Sequence, residues 1–169
     1  MIEMIIGYEW FMSGLVKILR GDFTSGLAEE VLKKVPETAT WYGGFLRSVV
    51  VPNATLFAYV IEIAEVLAGL VLIVGPIIWL FAWDRVSDRV RRVILFFIAF
   101  ATIGGAVLTV NLHLFNNGSH PWLIPKDSFD EGVDLDSVLP ALQIVIAAVS
   151  IVLFRRLGRA RTIVARTEL

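Results

Sequence analysis

The sequence predicts an all-α integral membrane protein: a four-helix bundle with an amphipathic, interfacial segment on the outer side between helices 1 and 2. Three observations carry that reading. Hydrophobic residues make up 57% of the 169 positions and charged ones only 18%, the balance of a polytopic membrane chain rather than of a soluble domain. Four stretches, residues 1–19, 54–83, 93–115 and 137–154, approach the roughly 20 apolar residues that a helix needs to cross the hydrocarbon. Arginines then cluster where cytoplasmic segments would fall: Arg85, Arg89, Arg91 and Arg92 after the second stretch, and Arg155, Arg156, Arg159, Arg161 and Arg166 after the fourth. Residues 1–169 therefore read as one multi-pass domain of the plasma membrane with both termini cytoplasmic. Residues 84–92 form a cytoplasmic loop, 155–169 a cytoplasmic tail, and 20–53 and 116–136 face outward, although Arg20, Lys33, Lys34 and Arg47 run against the charge rule in the first outer segment.

The first stretch lacks a basic leader and a small-residue cleavage site and contains Glu3, Glu9 and Lys17, so it reads as a retained helix. In the first outer segment, Leu27, Val31, Leu32 and Val35 recur at helical spacing over residues 25–35, with charged residues opposite, and Pro36 stops the helix. Residues 41–46, rich in aromatics, suit the headgroup level, lying on the membrane or dipping into it. The second outer segment holds His120, Pro121, Trp122, Pro125 and the carboxylates Asp127, Asp130, Glu131, Asp134 and Asp136. Its spacing does not match an EF-hand loop. Asp136 and Ser137 stand where they can cap the fourth helix.

The second crossing carries two carboxylates, Glu62 and Glu65, near its middle. A charge at bilayer depth costs at least about 2.5 to 3.5 kcal/mol, so such residues face a bundle interior, a partner or a substrate path. Residues three or four apart share a helix face, and each crossing has one polar or small-residue stripe: Glu9, Ser13, Lys17 and Arg20; Tyr59, Glu62, Glu65 and Gly69; Thr102, Ala106, Thr109 and His113; Asp136, Pro140, Gln143, Ala147 and Ser150. Converging, these stripes make a polar-lined interior. At 1.5 Å per residue the two glutamates lie roughly 9 to 16 Å below the outer boundary, near which Lys17 and His113 also fall. A Lys17–Glu62 ion pair is expected, which leaves Glu65 needing a proton, a hydrogen bond or a ligand. Asn111 and His113 are about 200° apart on a helix, so only one can line a common cavity. Thr102, Thr109, Gln143 and Ser150 read as interhelical glue.

The chain contains no cysteine, which excludes disulfides, thiol relays and Cys-held iron–sulfur clusters. No Gly-rich phosphate loop, HExxH zinc motif or GxSxG elbow is present, and no metal site or nucleic-acid partner is expected. The two histidines, one at a helix end and one in a loop, do not offer a haem the axial ligands it needs between helices. An electron carrier would have to come from a ligand or a partner subunit, and a membrane quinone is the economical candidate.

Four blocks resemble, in order, the DoxX/DoxD-like membrane proteins, the group that includes the membrane subunit of archaeal thiosulfate:quinone oxidoreductase. They are residues 7–17 (GYEWFMSGLVK), 41–75 (WYGGFLRSVVVPNATLFAYVIEIAEVLAGLVLIVG), 111–122 (NLHLFNNGSHPW) and 129–140 (FDEGVDLDSVLP). Pro52-Asn53 followed by the Glu-bearing helix is the most specific part. The resemblance implies a four-helix membrane bundle and, in the sulfur-oxidising members, electron delivery to quinone. The leading expectation is an integral subunit of a redox complex in which Glu62 and Glu65 handle protons and Lys17, Asn111 or His113 bind the quinone or another ligand. Glu9, Ser13, Tyr59 and Gln143 would line the interior, with Trp10, Phe11, Phe57 and Trp122 around the ring. Membrane lipid and other membrane or outer-face subunits are the expected partners. A non-catalytic accessory subunit of a larger respiratory-type complex is the alternative, and handling of a small solute or metal ion a third.

Overall fold

The computed structural model describes the backbone of residues 1–116 and 135–167 and the side chains of residues 1–116 and 138–158. The expectations for His120, Trp122, the acidic outer loop and the Asp136–Ser137 cap lie outside the described residues. Among the described residues six α-helices follow one another: α1 (Ile2–Arg20), α2 (Phe23–Lys34), α3 (Thr40–Phe45), α4 (Ala54–Phe81), α5 (Asp88–Phe115) and α6 (Leu135–Thr167). No strand occurs among the described residues. Three helical segments are long and apolar enough to cross a membrane: the unbroken run Thr40–Phe81 that joins α3 to α4, α5, and Val138–Gly158 within α6. The first of the four anticipated crossings differs in kind. Its 19 residues include Glu3, Glu9, Lys17 and Arg20, and α1 takes its place as a fourth long helix of the bundle without that apolarity.

Helix α1 packs along α4, α5 along α6, and α4 joins the two pairs through α5. Ile6 and Trp10 of α1, Leu72 of α4, Ile98 and Ala101 of α5, and Leu139 and Ile146 of α6 form one buried core. Gly21 ends α1 with a positive φ of 69°, its amide donating to the Lys17 carbonyl. This left-handed cap, which glycine adopts without a Cβ penalty, lets α2 start two residues later. Helix α2 then lies against α4. Val31 and Val35 close with Tyr42, Leu46 and Val50 into a second core. Leu32, expected on the same inward face, is half exposed: the buried row steps from Leu27 to Val31 to Val35, and Leu32 lies about 100° away from Val31.

Residues 41–46 do not form a separate surface element. Tyr42, Leu46 and Val50 recur every four residues on the buried side of the run that becomes α4. Pro52 has no N–H to give to the Ser48 carbonyl, so the ladder loosens into a π turn over Leu46–Val50 and tightens into a 3-10 turn over Val51–Asn53 without breaking. The Asn53 side-chain amide donates to the Val49 carbonyl at 2.9 Å, recovering one bond.

Two helix ends also differ from the hydropathy reading. Helix α5 starts at Asp88, not at residue 93, because Ser87 caps it by accepting from the Val90 amide and Asp88 meets the positive helix end. The charged run therefore belongs partly to the first turn, where Arg91 bonds Asp88 and the Trp83 carbonyl. Helix α6 continues to Thr167 instead of ending near residue 154. Hydropathy marks where lipid contact ends, and arginine-rich sequence carries the helix onward.

Close approach of α1 and α4 rests on the absence of side chains. A Cβ on Gly14 would come within 2.9 Å of the Glu62 carbonyl, Glu65 Cβ and Val66 Cγ2, and one on Gly69 would fall onto the backbone of Phe11. Small residues of this kind let helices associate where lipid removes the hydrophobic drive between them. Replacing Gly69 by Ala is expected to lower stability by about 1–3 kcal/mol in a detergent thermal melt, the usual penalty for overpacking. Gly104→Ala, where a Cβ meets nothing within 4 Å, should raise stability by about 0.5–1 kcal/mol, the ordinary helix-interior difference between the two residues.

Candidate functional site

The Gly14 contact sets the register of α1 on α4 and brings Lys17, one turn further along α1, beside Glu65. The Lys17 ammonium donates to Glu65 Oε1 at 2.6 Å, to Glu65 Oε2 at 2.5 Å and to Ser13 Oγ at 2.8 Å. These three contacts use its three protons. Glu65 is 3% exposed, whereas the Lys17 side chain is 24% exposed and reaches inward from the bundle edge. Its ammonium also lies 5.2 Å from the centre of the Phe23 ring, a cation–π distance.

The ion pair thus falls on Glu65, not on Glu62 as the sequence suggested. Helical steps gave both carboxylates one face but left the axial offset between α1 and α4 open, and the Gly14 contact decides it. Glu62, 4% exposed, instead accepts a hydrogen bond from Thr24 Oγ1 at 3.2 Å. Among the described residues it has no cationic partner. Thr24 was missed from sequence although a signal existed: Thr24, Leu27, Val31 and Val35 are spaced three, four and four apart, so the buried row of α2 begins with a hydroxyl.

Two expected interior residues lie outside. Glu9 and Tyr59 are exposed. The buried rows run instead through Ile6, Gly7, Trp10 and Gly14 on α1 and through Ala58, Glu62, Glu65, Gly69 and Leu72 on α4. Each polar residue sits one position from the true row, hence about 100° off it. The third and fourth rows are buried as read: Thr102, Thr109 and His113 on α5, Gln143 and Ser150 on α6. Thr102 and Thr109 donate to carbonyls of their own helix, so their hydroxyls do not serve as bridges between helices. Gln143 is fully buried, and among the described residues neither of its amide atoms has a hydrogen-bond partner.

A large groove of about 1510 Å³ opens between α4 and α5. Ala64, Ala68 and Val71 form one wall and Phe100, Gly104, Gly105 and Leu108 the other, with Trp10 and Lys17 of α1 contributing and α2 and α3 covering one end. Most of its lining is apolar. Glu65 reaches it, as does Asn111, whose side-chain carbonyl and backbone carbonyl accept from the Tyr42 hydroxyl at 3.4 and 3.2 Å. Of the Asn111–His113 pair, Asn111 lines the groove and His113 is buried in the bundle on the Thr109 side. Phe57 lines it too, while Phe11 packs its backbone on Gly69. Among the described residues no three His, Asp or Glu side chains cluster so as to hold a metal ion.

The fold and site thus define a helical protein with three segments long and apolar enough to span a membrane, a buried charge pair, and a lateral groove. No protein-family model, curated protein or solved structure matches the chain.

Breaking the charge pair from one side leaves a buried charge exposed to its desolvation cost. Lys17→Met should therefore cost on the order of 3 kcal/mol, more than the Lys17→Met/Glu65→Gln double replacement. A double-mutant cycle in detergent melts checks the assignment: strong coupling is expected between Lys17 and Glu65, and additivity within about 0.5 kcal/mol between Lys17 and Glu62.

Proposed function

We propose that the protein is a DoxX/DoxD-like integral membrane subunit of a redox complex that binds a quinone in the α4–α5 groove and moves protons through Glu62 and Glu65. The observation that carries this reading is the presence of two nearly buried carboxylates in unlike surroundings beside one large, apolar, laterally open groove. Glu65 is held by Lys17 and reaches the groove wall, and Glu62 has one hydroxyl donor and no cation among the described residues.

When bound, a quinone takes up two electrons and two protons. The chain's own residues supply the rest: Asn111 offers a polar side chain in a groove whose lining is mostly apolar, Lys17 fixes the Glu65 carboxylate, and Glu62, hydrogen-bonded by Thr24, accepts and releases a proton. Electrons come from a partner subunit. A dianionic substrate such as thiosulfate does not suit this groove, because the ammonium groups that line it are engaged, Lys17 by Glu65 and Ser13 and Lys33 by Glu29.

The accessory-subunit alternative retains one specific support. Glu65 is satisfied within the chain, so of the two glutamates only Glu62 still calls for a basic residue from a neighbouring transmembrane helix. Metal-ion handling rests on the second outer segment, which lies outside the described residues. Glu62→Gln separates the first two readings. Proton handling predicts at least about a 100-fold loss of quinone-dependent turnover in a complex that still assembles; the accessory role predicts loss of co-purifying subunits. Unchanged turnover with intact assembly would refute both.

A further inference from the structure

We infer that the outward face of α1 is the docking seam for a transmembrane helix of a different chain, and that this helix presents a lysine or arginine to Glu9. Such docking requires the bundle to lie in a membrane and is independent of what the α4–α5 groove binds. Ile2, Ile5, Glu9, Met12, Val16 and Leu19 recur at alternating steps of three and four, the spacing by which two helices interlock side chains along a seam. None of the six is buried, because α1 packs along α4 with its other side, through Ile6, Gly7, Trp10 and Gly14.

Lipid alone would suit five of these residues, but it does not suit Glu9. A Cβ on Gly7 would meet Gly69 and Leu72, and one on Gly69 would meet the backbone of Phe11. Glu9, between Gly7 and Phe11, therefore stands level with the Gly69–Leu72 turn of α4. That turn lies near the middle of α4, with Gly69 about 22 Å from one end and about 18 Å from the other, and residues 66–82 contain no charged side chain. Glu9 is thus exposed halfway through the apolar thickness, and its carboxylate has no hydrogen-bond or ion-pair partner among the described residues. Ionisable groups at such depth are kept where a partner group meets them.

A second copy of the chain does not supply that group. Two α1 seams related by a two-fold axis bring Glu9 against Glu9, and residues 55–81, 93–115 and 138–154 of the other long helices contain no lysine or arginine. Lys17 is already engaged by Glu65 and Ser13. The complementary cation comes from a different chain, and one polar pair within an apolar seam fixes both the register of the two helices and the choice of partner.

The test is fluorescence energy transfer in phosphatidylcholine vesicles between the labelled full-length chain and labelled Leu/Ala helices about 24 residues long that differ only in a central Lys, Leu or Glu. The Lys helix is expected to bind at least about 10-fold more tightly than the Leu helix. Glu9→Gln should remove that preference and Glu9→Lys transfer it to the Glu helix, both with unaltered thermal melts. Equal transfer to all three helices, or a Lys preference that Glu9→Gln leaves intact, overturns the proposal. Transfer between differently labelled copies of the chain that Glu9→Gln abolishes assigns the face to a second copy and overturns the different-chain partner. None of these readouts involves quinone binding or turnover, so their failure leaves that reading standing.

Discussion

A carboxylate held among apolar helices needs a partner that arrives at the right height, and in this chain the partner arrives because two helices touch backbone to backbone. Gly14 and Gly69 remove the side chains that would hold α1 away from α4, and at that separation Lys17 spans the gap to Glu65. The remaining features follow from the same contact. It positions α1, whose Gly21 cap turns the chain back into α2; α2 brings Thr24 to Glu62 and, with α3, covers one end of the groove. A one-residue slip of α1 along α4 would move Lys17 by about 1.5 Å and rotate it by about 100°, which is enough to lose the pair.

The all-helical class and the long apolar segments were legible because hydropathy and helical period are local properties. So was the burial of Glu62 and Glu65, since a carboxylate pair three residues apart in an apolar helix has few places to go. The phase of the rows was less legible. Polar residues suggested Glu9 and Tyr59 as lining, yet helices apolar enough to span a membrane approach most closely at small residues, and here Gly7, Gly14 and Gly69 mark that contact. The second crossing was read from residue 54, yet the helical run reaches back to Thr40, because a π turn absorbs the donor that Pro52 lacks. The partner of Lys17 depended on an axial offset that no single-helix pattern encodes. The groove, formed by residues from α1 to α5, is a tertiary feature with no linear signature beyond the adjacent glycines at 104 and 105.

Buried polar groups divide into two kinds here. Thr102 and Thr109 spend their hydroxyls on their own helix, and Lys17, Ser13 and Glu65 complete one another. The first hold to their own helix, and the second set fixes the Glu65 carboxylate across the α1–α4 contact. Among the described residues Trp10 Nε1 and both amide atoms of Gln143 have no hydrogen-bond partner, and Glu62 has a single hydroxyl donor for its carboxylate. Fully satisfied networks hold a fold, whereas groups left short of partners are where a bound molecule or a moving proton gains most. Of these residues Trp10 lines the groove, and Glu62 lies one turn from Glu65, which reaches it.

The central claim is that the buried charge of Glu65 is matched by Lys17 across the α1–α4 contact. Solid-state NMR recoupling between ¹⁵N at Lys17 Nζ and ¹³C at Glu65 Cδ, recorded on the full-length chain in lipid bilayers, measures that pairing directly. Strong dephasing, as two nitrogen–oxygen distances of 2.6 and 2.5 Å require, is the predicted result. Dephasing to Glu62 Cδ instead, or to neither carboxylate, would contradict the account.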